Sequence, residues 1–168
     1  MKLYNTKVIA ICNQKGGVGK TTSAINIASY LAVAEIPTLL IDMDPQSNAT
    51  SGSGVEIGSY KHSVYDVIIG KKKILDSIQK TDLEFFDILP SSPKLVGAEI
   101  ELVRMHLREY MLKDAIETLK GKYKYIIIDT PPSLGLLTVN VLMAANSVLI
   151  PIQCEYFALE GLGQLMNT

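Results

Sequence analysis

Short runs of consecutive apolar residues alternate along the chain with longer segments in which apolar residues recur every three or four positions. Uninterrupted apolar runs are typical of strands covered on both faces of a sheet, and the wider spacing is typical of helices. The runs predict five strands, over Val8–Cys12, Pro37–Asp42, Phe85–Leu89, Tyr125–Asp129 and Val148–Ile152. The spaced segments predict three helices, from Lys20 to about Ala34, over Val96–Lys120 with Gly121 at its end, and from about Leu136 to Ala145.

This alternation of strands and helices predicts an α/β fold with a doubly wound, mainly parallel sheet. We expect residues 1–168 to form a single domain, because 168 residues leave no room for two ordinary ones. Ser47–Gly58, which is rich in Ser, Gly, Asn and Thr, is the most loop-like segment of the chain.

The composition excludes several classes of protein. Hydrophobic residues make up 48% of the chain and charged residues 20%, which excludes a disordered or fibrous protein. The formal net charge of −1 provides no global positive field, so any contact with nucleic acid or anionic membrane must be local. Cys12 and Cys154 are too few for a disulfide framework; we interpret both as core residues and expect a cytoplasmic protein.

A stretch of 25 residues, 130–154, contains no charged side chain and is long enough to cross a membrane. Prolines, a glycine and asparagines are scattered through it, however. These residues favour a loop, a short helix and a strand that are buried in the protein over a membrane span.

A glycine-rich segment with the sequence KGGVGKTT, residues 15–22, lies between the first predicted strand and the first predicted helix. Glycines let backbone N–H groups turn inward to form an anion-binding nest, and the helix N-terminus adds partial positive charge. In such a loop Lys20 would reach the β- and γ-phosphates of a nucleotide, and the Thr21 hydroxyl would bind Mg²⁺. The alternative is a glycine-rich turn with solvated lysines. The residues expected to bind the nucleotide are Gly16, Gly17, Val18, Gly19, Lys20, Thr21 and Thr22.

The segment departs from the general phosphate-loop pattern, which requires glycine where this chain has Gln14. It carries an additional cation instead, Lys15, at the start of the loop. A second lysine beside one nucleotide is electrostatically excessive unless it faces further negative charge, such as the triphosphate of a neighbouring subunit.

Three aspartates follow predicted strands at the edge where α/β proteins bind ligands. Asp42 ends the second strand and Asp44 follows it, and Asp129 ends the isoleucine-rich fourth strand. We expect Asp44 to orient the water that attacks the γ-phosphate, and Asp129 to hold Mg²⁺ directly or through water, with Asp42 nearer the metal than Asp44. The alternative is that these aspartates cap the turns that follow their strands.

Several motifs resemble the ParA/MinD class of P-loop ATPases. Residues 15–21 match its deviant Walker A motif, K-G-G-x-G-K-[ST], at every position, and Asp42–Asn48 is similar to its first switch region, D-x-D-P-Q-x-N. Residues 126–135 resemble the second switch region of the ParA family. Residues 97–102 and 151–162 are similar to Soj-type ParA proteins, so that the resemblance covers essentially all 168 residues.

The resemblance implies an ATP- and Mg²⁺-dependent switch that acts in chromosome or plasmid segregation. It implies that Lys15 reaches across a nucleotide-sandwich homodimer, that Lys15, Lys20 and Asp44 are catalytic, and that Thr21, Asp129 and Asp42 surround the metal. A ParB-like centromere-binding protein is the implied partner, and nonspecific DNA binds to a basic C-terminal surface in longer members. We expect this chain to be the N-terminal portion of that fold, truncated before the basic surface, with reduced stability from an exposed sheet edge.

Two other interpretations remain open. A MinD-like ATPase would share the phosphate loop but bind membrane through a C-terminal amphipathic helix, which the D-P-Q-x-N run disfavours. A shortened chain could instead be a non-hydrolysing interaction subunit.

Overall fold

The structure is a computed structural model that describes residues 3–154 of the chain. Its strands are β1 (Lys7–Ile11), β2 (Thr38–Asp42), β3 (Gln79–Lys80), β4 (Phe86–Leu89), β5 (Tyr125–Asp129) and β6 (Ser147–Leu149). Its α-helices are α1 (Lys20–Val33), α2 (Asn48–Gly52), α3 (Val64–Ile68), α4 (Leu95–Val103), α5 (Met111–Glu117) and α6 (Leu136–Ala144), and a 3₁₀ turn covers Ile74–Asp76. Most of the segment 151–162, which carries part of the family resemblance, lies outside the described residues.

The strands form one sheet in the order β3-β4-β2-β5-β1-β6. All neighbouring strands are parallel except β3, which runs antiparallel to β4. The predicted doubly wound, mainly parallel α/β fold is therefore confirmed. Asp129 is in register with Ile11 on one side and with Asp42 on the other, so the carboxyl ends of β1, β2 and β5 meet at one edge. This is the edge at which parallel α/β sheets bind ligands.

Helices cover both faces of the sheet. On one face, α1 presents Ala24, Ala28 and Ala32, which are buried against a layer that includes Ile11 and Leu40. Side chains this small let the helix lie close to the sheet, and this fixes the position of its N-terminus beside the carboxyl end of β1. The opposite face forms a larger cluster to which α3, α4, α5 and α6 contribute.

The predicted strands differ from the observed ones mainly at their ends. The last strand stops at Leu149, three residues before the predicted end at Ile152. Cys12 is buried, as expected, but Cys154 is exposed, and its interpretation as a core residue is wrong. Beyond β6 the chain is no longer hydrogen-bonded in the described sheet, so apolar character there does not imply burial.

The single helix predicted over Val96–Lys120 is wrong, because the structure divides this segment into α4 and α5. α4 ends at Val103, and Leu107 in the connecting turn takes a left-handed conformation, φ 52°, which a continuous helix would not allow. Asn140 of α6 forms hydrogen bonds with the backbone on either side of the connecting turn. Its Nδ2 donates to the carbonyl of Arg108 (2.8 Å), and its Oδ1 accepts from the amide of Leu112 (3.2 Å). The break therefore depends on a residue distant in sequence, which periodicity cannot show.

The loop prediction for Ser47–Gly58 is wrong in part, since this segment contains α2. The prediction also omitted α3 and the edge strand β3. A sequence cue for α3 exists, because Ser63 and Asp66 form a reciprocal capping box at its start.

In the described part of the sheet β6 is an edge strand with Val148 43% exposed. The reduced stability expected from such an edge stays a prediction.

None of the helices between residues 3 and 154 combines the length and the apolar character that a membrane crossing requires. The uncharged stretch 130–154 contains α6 and β6, so the predicted helix and strand are present. The predicted burial is wrong for the strand, since Ser147 and Val148 are exposed.

Candidate nucleotide-binding site

The glycine-rich loop connects β1 to α1 at the ligand-binding edge of the sheet. Gly17 and Gly19 have φ values of 75° and 89°, which residues with a Cβ rarely adopt, and Gly19 is the N-cap of α1. A Cβ built on Gly16, Gly17 or Gly19 would meet no atom within 4 Å, and all three glycines border a cavity. The backbone geometry therefore matches the phosphate nest that the sequence predicts.

A cavity of about 390 Å³ lies over this loop. Its walls combine the loop with the segment that follows β2 and the segment that follows β5. The lining residues are Gly16, Gly17, Gly19, Lys20, Thr21, Thr22, Asp44, Gln46, Asn48 and Pro132. The structure thus brings most of the predicted nucleotide-binding residues together with Asp44.

Lys20 is the first residue of α1, and its side chain folds back over the loop. Its Nζ donates to the carbonyl of Lys15 at 3.0 Å, and the residue is buried. Burial lowers the pKa of the Lys20 ammonium, and the nearby carboxylates of Asp129 and Asp44 oppose this effect. The ammonium is thus held inside the loop, where it can meet phosphate oxygens.

Thr21 and Asp129 form the contact that links the loop to β5. The Thr21 hydroxyl donates to Oδ2 of Asp129 at 2.7 Å. The other carboxylate oxygen, Oδ1, is the one buried side-chain polar atom of the described residues that has no hydrogen-bond partner. Burial raises the pKa of Asp129 to about 7 against the Thr21 hydrogen bond, with further increases from Asp42 and Asp44. Buried polar atoms are nearly always paired, so this oxygen points to a cation that the site would accept.

The residues at this site fit a Mg²⁺ ion that is bound jointly by the protein and by the phosphates of a nucleotide. No cluster of three or more His, Cys, Asp or Glu side chains that could hold a metal occurs between residues 3 and 154. Mg²⁺ is commonly bound through one or two protein ligands together with substrate phosphates and water. The Thr21 hydroxyl and the unpartnered Asp129 oxygen could supply such a pair of ligands.

Asp42 lies behind the cavity and does not line it. Its Oδ2 accepts from both the amide (2.8 Å) and the hydroxyl (2.7 Å) of Thr50, and its Oδ1 accepts from the Asp44 amide (3.1 Å). Burial raises its pKa to about 6 despite these hydrogen bonds. The contacts of Asp42 favour a role in holding the segment 44–50, and its predicted place beside the metal stays a prediction.

Asp44 lies in the wall of the cavity, opposite the phosphate loop. Its Oδ1 accepts from the Gln46 amide at 2.9 Å, and its carbonyl accepts from the Ser47 amide at 2.9 Å. Ser47 takes a left-handed conformation, φ 57°, at the N-cap of α2. The tight turn therefore holds the Asp44 carboxylate at the cavity instead of letting it extend into solvent.

Lys15 begins the loop, with its amide donating to Oδ1 of Asn13 (3.0 Å) and its carbonyl accepting from Lys20. The role predicted for its side chain involves a second copy of the chain and stays a prediction. Val18 is buried, and Thr22 lines the cavity.

Several residues at the site were not predicted from the sequence. Asn13 donates from Nδ2 to the carbonyl of Pro151 (2.8 Å), and Gln153 donates from Nε2 to the carbonyl of Gly17 (3.0 Å). The segment after β6 is thereby tied to the phosphate loop. A polar residue directly after a buried strand, as Asn13 is, was the available cue. The sequence contains no such cue for Thr50 or Gln153, because their roles depend on contacts between segments that are distant along the chain.

Comparison with known proteins gives a consistent result over almost the whole chain. A protein-family model described as an AAA domain matches residues 6–168. Two curated relatives are each 54% identical to the chain over 162 residues: the chromosome partitioning protein ParA of Myxococcus xanthus and the sporulation initiation inhibitor protein Soj of Bacillus subtilis. Each match covers 96% of this chain, which spans 57% of the ParA sequence and 64% of the Soj sequence.

Among solved structures, the chain is similar to that of cobyrinic acid a,c-diamide synthase from Mycobacterium smegmatis with bound ATP analogue and magnesium. The TM-score is 0.92 at 41% sequence identity, and the match covers 96% of this chain and 66% of that one.

Proposed function

Because the chain belongs to the AAA-domain family of ParA/Soj-type P-loop ATPases, we propose that it is an ATP-driven switch in DNA segregation. In this proposal it binds ATP together with Mg²⁺ over the phosphate loop and hydrolyses the γ-phosphate. The observation that carries the proposal is the Thr21–Asp129 pair beneath the glycine nest, with one buried Asp129 oxygen unpartnered. The similar structure that contains an ATP analogue and magnesium supports the same ligands.

Binding rests on complementary charge and geometry. The open nest formed around Gly17 and Gly19 would receive phosphate oxygens through backbone N–H groups, at the positive end of α1. Lys20 would exchange its bond to the Lys15 carbonyl for phosphate oxygens. When bound at Thr21 and Asp129, Mg²⁺ would neutralise charge on the phosphates.

Hydrolysis needs a group that holds the attacking water, and we assign this role to Asp44. Its position in the cavity wall, across from the phosphate loop, supports the assignment. The chain has two arginines, Arg104 and Arg108, and neither lines the described cavity. We therefore expect slow intrinsic turnover, since an arginine that stabilises the transferring phosphoryl group accelerates such reactions by several orders of magnitude.

The hydrolysis proposal is tested by the Asp44→Ala variant. We expect Mg²⁺-dependent ATP binding to persist and steady-state phosphate release to fall at least tenfold, because only the water-orienting carboxylate is removed. An Asp82→Ala variant, which alters an exposed carboxylate outside the cavity, is the control. Hydrolysis by Asp44→Ala at the wild-type rate would contradict the assignment.

We further propose that ATP favours a nucleotide-sandwich homodimer in which Lys15 contacts the phosphates of the nucleotide bound to the second copy. Hydrolysis would then cause the dimer to dissociate. Gly16 and Gly17 line the cavity, and a Cβ added to either would have no atom within 4 Å, so there is space next to the loop that a second copy could cover. In the Lys15→Ala variant we expect ATP-dependent dimerisation to be lost on gel filtration. The Lys94→Ala variant, at the N-cap of α4, controls for the loss of one lysine. An intact dimer in Lys15→Ala would exclude the trans role.

The name of the ParA relative supports a role in chromosome partitioning. We propose that the chain acts in the cytoplasm in chromosome or plasmid segregation, with a ParB-like partner that stimulates hydrolysis and with nonspecific DNA as a second partner, as the family resemblance implies. An ATPase assay with and without a ParB-like protein and DNA tests this part of the proposal, and stimulation by both together is the expected result.

A further inference from the structure

A buried hydrogen-bond network lies directly behind the Asp44 turn, and its central residue is Ser91, in the loop between β4 and α4. Ser91 is fully buried, and its three polar groups contact three different segments. Its amide donates to the Thr50 hydroxyl of α2 at 2.9 Å, and its hydroxyl donates to the Asp44 carbonyl at 2.6 Å. Its carbonyl accepts from the Tyr60 hydroxyl at 2.5 Å.

The network closes on the aspartates at the end of β2. Thr50 links Ser91 to Asp42, because its hydroxyl accepts from the Ser91 amide and donates to Asp42 at 2.7 Å. Asp42 in turn accepts from the Asp44 amide at 3.1 Å. The backbone of Asp44 is therefore held at both ends, with its amide bonded to Asp42 and its carbonyl bonded to Ser91.

We propose that Ser91 is a positioning residue that fixes the Asp44 backbone, so that the Asp44 carboxylate holds the attacking water in line with the γ-phosphate. The inference rests on the proposed hydrolytic role of Asp44. Ser91 itself does not line the cavity, so its effect must pass through Asp44. Ser91, Thr50 and Asp42 are fully buried, so water cannot replace a bond lost among them without entering the core.

The Ser91 hydroxyl and the Ser47 amide both donate to the Asp44 carbonyl. Removal of the hydroxyl leaves the carbonyl with the Ser47 bond alone, within a turn that is already strained at Ser47. A displacement of about 1 Å in a catalytic group can lower a rate by about a hundredfold. Nucleotide binding depends mainly on the phosphate loop, to which Ser91 and Thr50 make none of the hydrogen bonds described above, so binding should change little.

The test compares Ser91→Ala with wild type in the full 168-residue chain, by steady-state ATP hydrolysis and by equilibrium binding of a non-hydrolysable ATP analogue with Mg²⁺. We expect kcat to fall at least tenfold while the dissociation constant of the analogue changes less than threefold. Thr50→Val, which removes the relaying hydroxyl, should show the same division between kcat and binding. Thr50→Ser, which keeps that hydroxyl, should recover most of the lost kcat.

Two control variants separate positioning from general destabilisation. Tyr123→Phe removes a buried hydrogen bond to Asp87 (2.6 Å) outside the cavity, and Ser92→Ala removes the neighbouring hydroxyl, which accepts from the Lys94 amide. Both should keep wild-type kcat at a temperature at which all variants are folded. An equal fall in kcat for Ser91→Ala and Tyr123→Phe would overturn the inference, because stability alone would then explain the loss.

The outcomes also separate this inference from the proposed function. If wild type hydrolyses ATP and Asp44→Ala does not, but Ser91→Ala keeps wild-type kcat, the positioning role alone is overturned. If wild type binds Mg²⁺–ATP but does not hydrolyse it, the hydrolytic function is overturned and the role of Ser91 with it.

Discussion

At the scale of single residues, the burial of two carboxyl groups at the ligand-binding edge of the sheet lowers the free energy of unfolding when they are ionised. Asp42 and Asp129 are fully buried carboxylates with raised pKa values of about 6 and about 7. A buried carboxyl prefers its neutral form, so ionisation opposes folding. Such placement is reasonable for Asp129 if a cation later shares its charge, since functional sites often retain groups that lower the stability of the free protein.

This argument predicts that Asp129→Asn stabilises the free chain at alkaline pH. The folded-state pKa of Asp129 lies above its ordinary value of 3.8, so its contribution to stability is greatest below pH 4 and is lost as pH rises through about 7. In the absence of nucleotide and Mg²⁺, Asp129→Asn should therefore unfold at a higher temperature than wild type at pH 8, with a smaller difference at pH 5. Thermal unfolding followed by circular dichroism at both pH values provides the measurement.

The control for this prediction is Asp82→Asn, which neutralises an exposed carboxylate and should change the unfolding temperature little at either pH. A variant at Asp129 that is less stable than wild type at pH 8 would show that ionisation there does not oppose folding.

At the scale of secondary-structure elements, the turn between α4 and α5 depends on one buried side chain. Asn140 of α6 bonds the carbonyls of Arg108 and Leu136 and the amide of Leu112. We predict that Asn140→Ala destabilises the chain by about 2 kcal/mol, because buried backbone groups lose their partners. Urea unfolding measures the change. Asn26→Ala, which removes an exposed asparagine of α1, should cost less than about 0.5 kcal/mol; equal costs would contradict the prediction.

The elements also show what the sequence could predict. The three isoleucines of β5 sit between strands on both sides and helices on both faces, so their burial follows from local sequence alone. The phosphate loop is likewise a local motif. The turn between α4 and α5 is bonded by Asn140, and the Asp44 carbonyl accepts from Ser91, which is 47 residues away along the chain. Contacts of this kind are set by the tertiary fold, and periodicity does not contain them.

At the scale of the whole molecule, the net charge of −1 is compatible with membership of a nucleotide-binding family. A net charge describes the overall field, whereas the candidate site uses local positive groups: Lys20, the loop amides and the N-terminus of α1. The resemblance to ParA/Soj-type ATPases that the motifs indicated is confirmed over residues 6–168. The chain spans about three fifths of the length of those relatives, and their partners enter here only as proposals.

The central claim is that the phosphate loop, Thr21 and Asp129 form one Mg²⁺–nucleotide site. Its most direct test is an equilibrium titration of the chain with a fluorescent, non-hydrolysable ATP analogue, with and without Mg²⁺, in wild type and in Thr21→Ala. We predict that Mg²⁺ tightens binding to wild type at least tenfold and that Thr21→Ala loses most of this effect. Binding that is absent from wild type, or that is equally tight with and without Mg²⁺, would contradict the account.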